Sequence, residues 1–320
     1  MRISRAISLT ISIVLPVLGA DAVHAQAWPE KTVRIMATQP GGLTDVVARL
    51  LAPALSANLG RQFVVDNRTA LVAVETAAKA PPDGYTILVN GSALWLLPLL
   101  RDNITWDPFK DFVPIINAVR SPSVLVVHPS LPVKSAAELI ALAKAKPGSL
   151  NYAAGTIGAT PHLAAELFKH MAGINMVRIG YKGTGPAVIA VIVGESQVSF
   201  PNAGSAMPHV NSGRLKGLAV CSAQPSALAS GLPTVAATGL PGFESVSPQA
   251  VFAPAGMPPA LVKRLNEEVL RAMNAPDIKE RFFKTGLEVV GGTPQELGAT
   301  MKSEVARMGK VIKTVGIREE

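Results

Sequence analysis

Val33-Arg34-Ile35-Met36-Ala37, followed by Thr38-Gln39-Pro40-Gly41-Gly42-Leu43-Thr44-Asp45, reads as a short apolar strand that passes through a glycine turn into a helix. The helix is predicted over Thr44–Asn58. The same order recurs later. A strand over Leu150–Ala153 leads into Ala154-Gly155-Thr156-Ile157-Gly158-Ala159-Thr160-Pro161-His162 and then a helix over Pro161–Met171. Each loop could present backbone N–H groups at the positive end of a helix, a setting that attracts a carboxylate or phosphate. Two such loops facing each other would form an anion clamp, which suggests capture of a small anionic solute.

Working outward, short apolar strands alternate with amphipathic helices. Further strands are predicted at Phe63–Asp66, Thr86–Asn90, Val113–Ala118, Val124–His128, Val177–Ile179, Val198–Phe200, Leu215–Cys221 and Gln249–Ala253. Further helices are predicted at Leu71–Ala80, Ala136–Ala145, Gly185–Val193, Ala203–Ser212, Pro259–Asn274, Pro276–Lys284 and Thr293–Val315. Strands separated by helices of this length indicate a parallel α/β architecture. Turn chemistry sets several boundaries. Pro81-Pro82-Asp83-Gly84 is a turn, and Gly60 follows a helix end. Ser135 with Glu138, and Thr293 with Glu296, read as capping boxes. Thr160-Pro161 reads as an N-cap followed by proline at the first helical position. The chain is expected to be bilobal, with crossings near Ser121–Val127 and Val246–Phe252. One lobe would hold residues 26–120 and 250–320, the other 121–249.

Residues 1–25 have the form of a secretory signal peptide. Arg2 and Arg5 precede the apolar run Ile7–Leu18, and Val23-His24-Ala25 supplies small residues at a cleavage site. That run is shorter than the ~20 residues a spanning helix needs. A soluble, exported chain is therefore expected, in the periplasm and cleaved near Ala25. Hydrophobic residues make up 48% and charged residues 16%, enough apolar material for a large core and too little charge for a disordered chain. Cys221 is the single cysteine and sits in a strand-like run, so it reads as a buried thiol. The net charge of +8 fits an anionic ligand, whereas the absence of Lys/Arg runs argues against nucleic acid.

Catalytic signatures are missing. His128, His162, His170 and His209 form no close metal-ligand pattern, and no nucleophile elbow, P-loop or dinucleotide fingerprint occurs. No cofactor is expected. A secreted hydrolase or isomerase using Asp45 and His162 stands as the enzymatic rival.

Several segments together resemble the Bug/TctC family, the periplasmic solute receptors of tripartite tricarboxylate transporters. They include Trp28-Pro29-Glu30-Lys31-Thr32-Val33, Pro40-Gly41-Gly42-Leu43-Thr44-Asp45, Val65-Asp66-Asn67-Arg68 and Ala80-Pro81-Pro82-Asp83-Gly84-Tyr85. Trp106-Asp107-Pro108-Phe109, Leu125-Val126-Val127-His128-Pro129, Asn151-Tyr152-Ala153-Ala154-Gly155, Tyr181-Lys182-Gly183 and Phe252-Ala253-Pro254-Ala255-Gly256 continue the series. The resemblance implies a type II periplasmic-binding-protein fold, two α/β lobes around a ligand cleft. It implies a small carboxylate held by backbone amides and water, and delivery to membrane transporter subunits. The receptor is expected to act as a monomer; a ligand-dependent signalling receptor is the alternative. The chain departs from the family pattern at Thr38, at Thr69-Ala70-Leu71-Val72, at Pro201 and at Pro248-Gln249, so the solute could be a different carboxylate, an amide or an aromatic acid.

Candidate ligand contacts follow. In the first loop they are Thr38, Gly41, Gly42, Leu43, Thr44 and Asp45, where Thr44 and Asp45 could equally cap the helix and Asp45 would repel an anion. In the second they are Gly155, Thr156, Ile157, Gly158, Ala159, Thr160 and His162, with Thr160 also readable as a cap and His162 as a packed side chain. Ser92 follows the third strand. Asn202 lies at the carboxyl end of a strand, where ligands collect in open α/β sheets.

Overall fold

A computed structural model describes residues 28–318; the expected leader at residues 1–25 lies outside them. The chain builds two sheets. The first contains β1 (Val33–Ala37), β2 (Phe63–Asn67), β3 (Thr86–Gly91), β4 (Phe112–Pro122), β10 (Val246–Pro254) and β11 (Glu288–Gly291), in the order β11-β4-β10-β3-β1-β2. The second contains β5 (Val124–Val127), β6 (Asn151–Ala154), β7 (Val177–Gly180), β8 (Val198–Ser199) and β9 (Lys216–Val220), in the order β7-β6-β8-β5-β9.

The parallel expectation holds only locally. β1 runs parallel to β2 and β3, and β6 runs parallel to β7 and β8. By contrast, β10 is antiparallel to β3 and β4, β11 to β4, and β5 to β8 and β9. These antiparallel strands include those adjoining the passages between sheets. A chain that changes sheets does not return through a crossover helix, so it need not arrive in the parallel sense.

Only Ser123 separates β4 from β5, and the return leads from β9 through residues 221–245 to β10. The two passages are bonded together. Cys221 N–H donates to the Ser123 carbonyl at 2.8 Å, Ser245 N–H to the Cys221 carbonyl at 2.7 Å, and Ser123 N–H to the Ser245 carbonyl at 3.1 Å. Cys221 is fully buried there, and burial pushes its thiol well above the usual range.

Helices cover the sheets through apolar faces. In α1 (Leu43–Leu59), Val47, Leu50, Leu51 and Leu55 are buried at helical spacing, in one cluster with Ile35 of β1 and Leu265 of α8 (Pro259–Asn274). Fully burying each leucine contributes about 1.5–3 kcal/mol relative to leaving it exposed. The long C-terminal helix α10 (Pro294–Val315) buries Leu297, Met301, Met308, Val311 and Ile312 in a second cluster. That cluster also holds Leu88 of the first sheet and Leu125 and Tyr152 of the second, so apolar packing is continuous between the two.

Most expected boundaries are close to those observed, but β4 runs on to Pro122 and β10 begins at Val246, both beyond the expected ends beside the passages, and short elements were missed, among them the 3₁₀ turn Ala227–Ala229. The helix α3 (Ala93–Leu96) and its 3₁₀ continuation Leu97–Leu99 come from an apolar run too short to show a period, and β11 is a four-residue edge strand. Thr293 and Glu296 form the reciprocal capping box. At α4 (Ala136–Ala145) the box is shifted. Ser135 Oγ accepts the Glu138 N–H, but the Glu138 carboxylate accepts from Lys134 N–H, one residue before the cap.

Candidate functional site

Both glycine loops leave the carboxyl ends of parallel strands, β1 and β6, and open onto one cleft of about 800 Å³. Thr38, Gly41, Gly42, Leu43 and Thr44 line one wall, together with Ser92 after β3. Thr156, Gly158, Ala159 and Thr160 line the facing wall, together with Asn202. Four sequence candidates stand back from the cleft: Asp45, Gly155, Ile157 and His162 are not among its lining residues.

Those four shape the loops from behind. Asp45, in the first turn of α1, turns its carboxylate back to accept the Gly41 N–H at 2.9 Å. It also accepts from the Asn67 amide at 2.9 Å and pairs with Arg49 at 2.8 Å. Burial alone would raise its pKa, yet the Gly41 N–H, the Asn67 amide and the Arg49 guanidinium outweigh it and hold the carboxyl below its ordinary value. His162 occupies the equivalent place in α5 (Thr160–Ala172), and its Nδ1 accepts the Gly158 N–H at 3.1 Å. Burial, reinforced by the Arg178 charge, pushes His162 down to about 4, so the imidazole is neutral at physiological pH. Gly155 is a spacing residue. A Cβ there would lie 2.8 Å from the Gly183 carbonyl carbon, and its own carbonyl accepts from Arg178 at 2.7 Å. Ile157 packs on the main apolar cluster.

The helix starts carry the main surprise. Thr160 is not the N-cap of α5; Ala159 holds that position, and the Thr160 hydroxyl lies 3.4 Å from Ser247 Oγ. Thr44 is not a cap either. Its hydroxyl accepts the Thr38 N–H at 3.2 Å and meets Thr38 Oγ1 at 2.5 Å, closing the first loop on itself. Four further helices begin on the same cleft: α2 (Ala70–Ala78) at Ala70, α3 at Ala93, α6 (Thr184–Ile192) at Thr184 and α7 (Ala203–Asn211) after its N-cap Asn202. None of the six has a side-chain hydrogen bond at its N-cap. Ser135 and Thr293, which do cap their helices, are absent from the lining.

The first N–H groups of a helix have no partner inside it and carry a fractional positive charge. With the caps left off, these donors are available to whatever fills the cleft. None of the residues lining the cleft is Asp, Glu, Lys, Arg or His. The cavity can therefore solvate an anion through oriented dipoles and neutral hydroxyls and amides, as an anion-binding helix terminus does. Among the described residues no cluster of His, Cys, Asp or Glu could hold a metal ion.

Sequence reading did not nominate Asn90, Thr184, Ser205 or Ser247, and it touched Gln249 only as a departure from the family pattern, yet all five line the cleft. Asn90 ends a parallel strand and Thr184 and Ser205 begin helices, so the rule that picked Asn202 would have reached them. Ser247 and Gln249 lie on β10 just after the second passage, which runs through residues 221–245 and not through Val246–Phe252 as expected, and strand direction alone gives no signal there.

The profile of the tripartite tricarboxylate transporter family receptor, TctC, matches residues 47–317. Protein BugT of Bordetella pertussis is 33% identical, over 99% of both chains. Among solved structures, R. palustris Rpa4515 with adipate is 36% identical at a TM-score of 0.78, covering 91% of this chain and 99% of that one. The periplasmic binding protein BugD is 28% identical at a TM-score of 0.76, covering 92% of this chain and all of the other. The two α/β lobes around a cleft are thus those of a periplasmic binding protein, and the chain belongs to the TctC, or Bug, family of tripartite tricarboxylate transporter receptors.

Proposed function

We propose that this chain is a periplasmic receptor, not an enzyme, that captures a small carboxylate-bearing solute and delivers it to the membrane subunits of a tripartite tricarboxylate transporter. The observation that carries this reading is the convergence of six uncapped helix N-termini on one cleft without a charged side chain. A site of that kind suits a carboxylate, and the similar Rpa4515 structure holds adipate. On this reading residues 1–25 are an export leader cleaved near Ala25. The lobes are 26–120 with 250–320, and 121–249. Thr38, Gly41, Gly42, Leu43, Thr44, Ser92, Thr156, Gly158, Ala159, Thr160 and Asn202 contact the solute, whereas Asp45, Gly155, Ile157 and His162 set the shape of the loops.

Binding a solute across both walls favours the closed arrangement of the lobes about the bonded passages at Ser123, Cys221 and Ser245. Thermal unfolding of the processed chain with mono-, di- and tricarboxylates, amides and aromatic acids tests the reading. A one-site ligand at about 100 times its Kd stabilises by about 2.7 kcal/mol. A response confined to carboxylate-bearing compounds is expected. A flat response across the panel, with no solute retained on natively purified protein by mass spectrometry, would overturn it.

A further inference from the structure

The floor of the cleft is formed by β10, which carries Ser247 and Gln249 between the two walls. Gln249 is 5% exposed, yet its Oε1 has no hydrogen-bond partner among the described residues. Its Nε2 points to Ser247 Oγ at 3.4 Å. Thr160 Oγ1 approaches the same Ser247 oxygen, also at 3.4 Å. With Ser247 accepting from both, its own hydroxyl proton is uncommitted. The floor therefore offers a donor at Ser247 beside a bare acceptor at Gln249.

The arrangement is held in place. A Cβ at Gly91 would stand 2.8 Å from Gln249 Nε2 and 2.7 Å from the Pro248 carbonyl, so the glycine leaves room for this amide. The β4–β10 register shifts between Gln249 and Ala250, an irregularity of the kind that re-aims a side chain next to a site. The neighbouring Asn90 side-chain oxygen, Oδ1, is occupied by the Gly91 N–H at 2.8 Å.

Resting on the receptor reading, we propose that Ser247 and Gln249 select a solute whose second polar group is a neutral donor–acceptor, above all a primary amide, in place of a second carboxylate. One carboxylate meets the helix N-termini. At the floor, an amide N–H fills Gln249 Oε1 while the amide carbonyl takes the Ser247 proton. A carboxylate there brings only acceptors against the Gln249 oxygen, with no charged side chain in the lining to offset the repulsion. A buried group built to hydrogen-bond one partner discriminates strongly against an analogue that leaves it unpaired.

Isothermal titration of the processed chain with matched sets tests this: diacid, monoamide of the diacid, and simple monoacid, from four to six carbons. The monoamide is expected to bind at least about tenfold tighter than the diacid of the same length. In Gln249→Met that preference should collapse toward unity while monoacid binding persists. A diacid that binds the native protein as tightly as its monoamide, or tighter, overturns the proposal. So does a preference that survives Gln249→Met. The outcomes separate the two readings: carboxylates that bind without amide preference sink this inference alone, and failure of every carboxylate sinks the receptor reading and this one with it.

Discussion

The imidazole of His162 accepts the backbone N–H of Gly158, four residues upstream, at 3.1 Å. Asp45 accepts the Gly41 N–H across the same interval in the other loop, at 2.9 Å. In both cases the acceptor is the third residue of its helix, and the donor is a glycine of positive φ just before the N-cap, +81° at Gly41 and +77° at Gly158. The two walls use one device with two chemistries, a carboxylate and a neutral imidazole. Each brace fixes the glycine turn, and the N-cap N–H groups of Gly42 and Ala159 close it further by donating to the Gln39 and Thr156 carbonyls, both at 3.2 Å.

The imidazole brace makes the second loop sensitive to acid. His162 titrates near 4 in the fold and near 6.5 when unfolded. Above about pH 6.5 both states are neutral and the group contributes no pH dependence. Below it the unfolded chain takes up a proton that the fold resists, so stability is lost as pH falls toward 4, by roughly 3 kcal/mol in all. Denaturant unfolding between pH 4 and 8 should show this loss, and His162→Gln should remove that part of the slope.

The carboxylate brace acts on stability first and on affinity second. Asp45→Ala leaves the Gly41 N–H and the Asn67 amide without their buried acceptor, at an expected cost of about 2–3 kcal/mol. Asp45→Asn keeps an acceptor and should cost less. Both should weaken solute binding without changing the order of preference among solutes, because Asp45 does not line the cleft. A changed order in calorimetric titrations would place Asp45 against the solute.

Alanine at the two braced glycines should behave differently. A Cβ at Gly41 meets nothing within 4 Å, so Gly41→Ala carries only the backbone penalty of the left-handed region, about 1–2 kcal/mol. At Gly158 the Cβ would also run into Leu100 Cδ1. Gly158→Ala should be the more destabilising, and combining it with Leu100→Ala should cost less than the two changes added, a coupling that a double-mutant cycle measures.

Thr160 and Thr293 look alike in sequence, each a threonine before proline at a helix start. Only Thr293 caps, with its side chain accepting the Glu296 N–H at 3.2 Å. Thr293→Val should cost about 1 kcal/mol of stability and leave binding unchanged. Thr160→Val should shift stability by less than about 0.5 kcal/mol and weaken solute binding. Unfolding and titration on both variants read the two effects apart.

By itself the sequence determined the alternation of strand and helix, the two glycine loops, and the family to which the chain belongs. These are local properties: apolar spacing, turn residues and a run of motifs in fixed order. Sequence also carried Cys221 as a buried thiol and most of the first-sheet and second-sheet strands to within a residue or two. Tertiary structure alone decided which polar groups face the cleft. In sequence Asp45 and His162 group with Thr44 and Thr160, but on a helix adjacent residues point about 100° apart, so the third position turns behind the loop while Thr44 and Thr160 face the cavity. The antiparallel strands likewise arise from how the chain passes between its sheets, and the shared cleft from where the helix starts of both lobes meet. Gln249 is the clearest case. Its place on the floor depends on a strand that enters the first sheet directly from the second passage, on a register shift against β4 and on the bare Cα of Gly91, none of which its sequence neighbours encode.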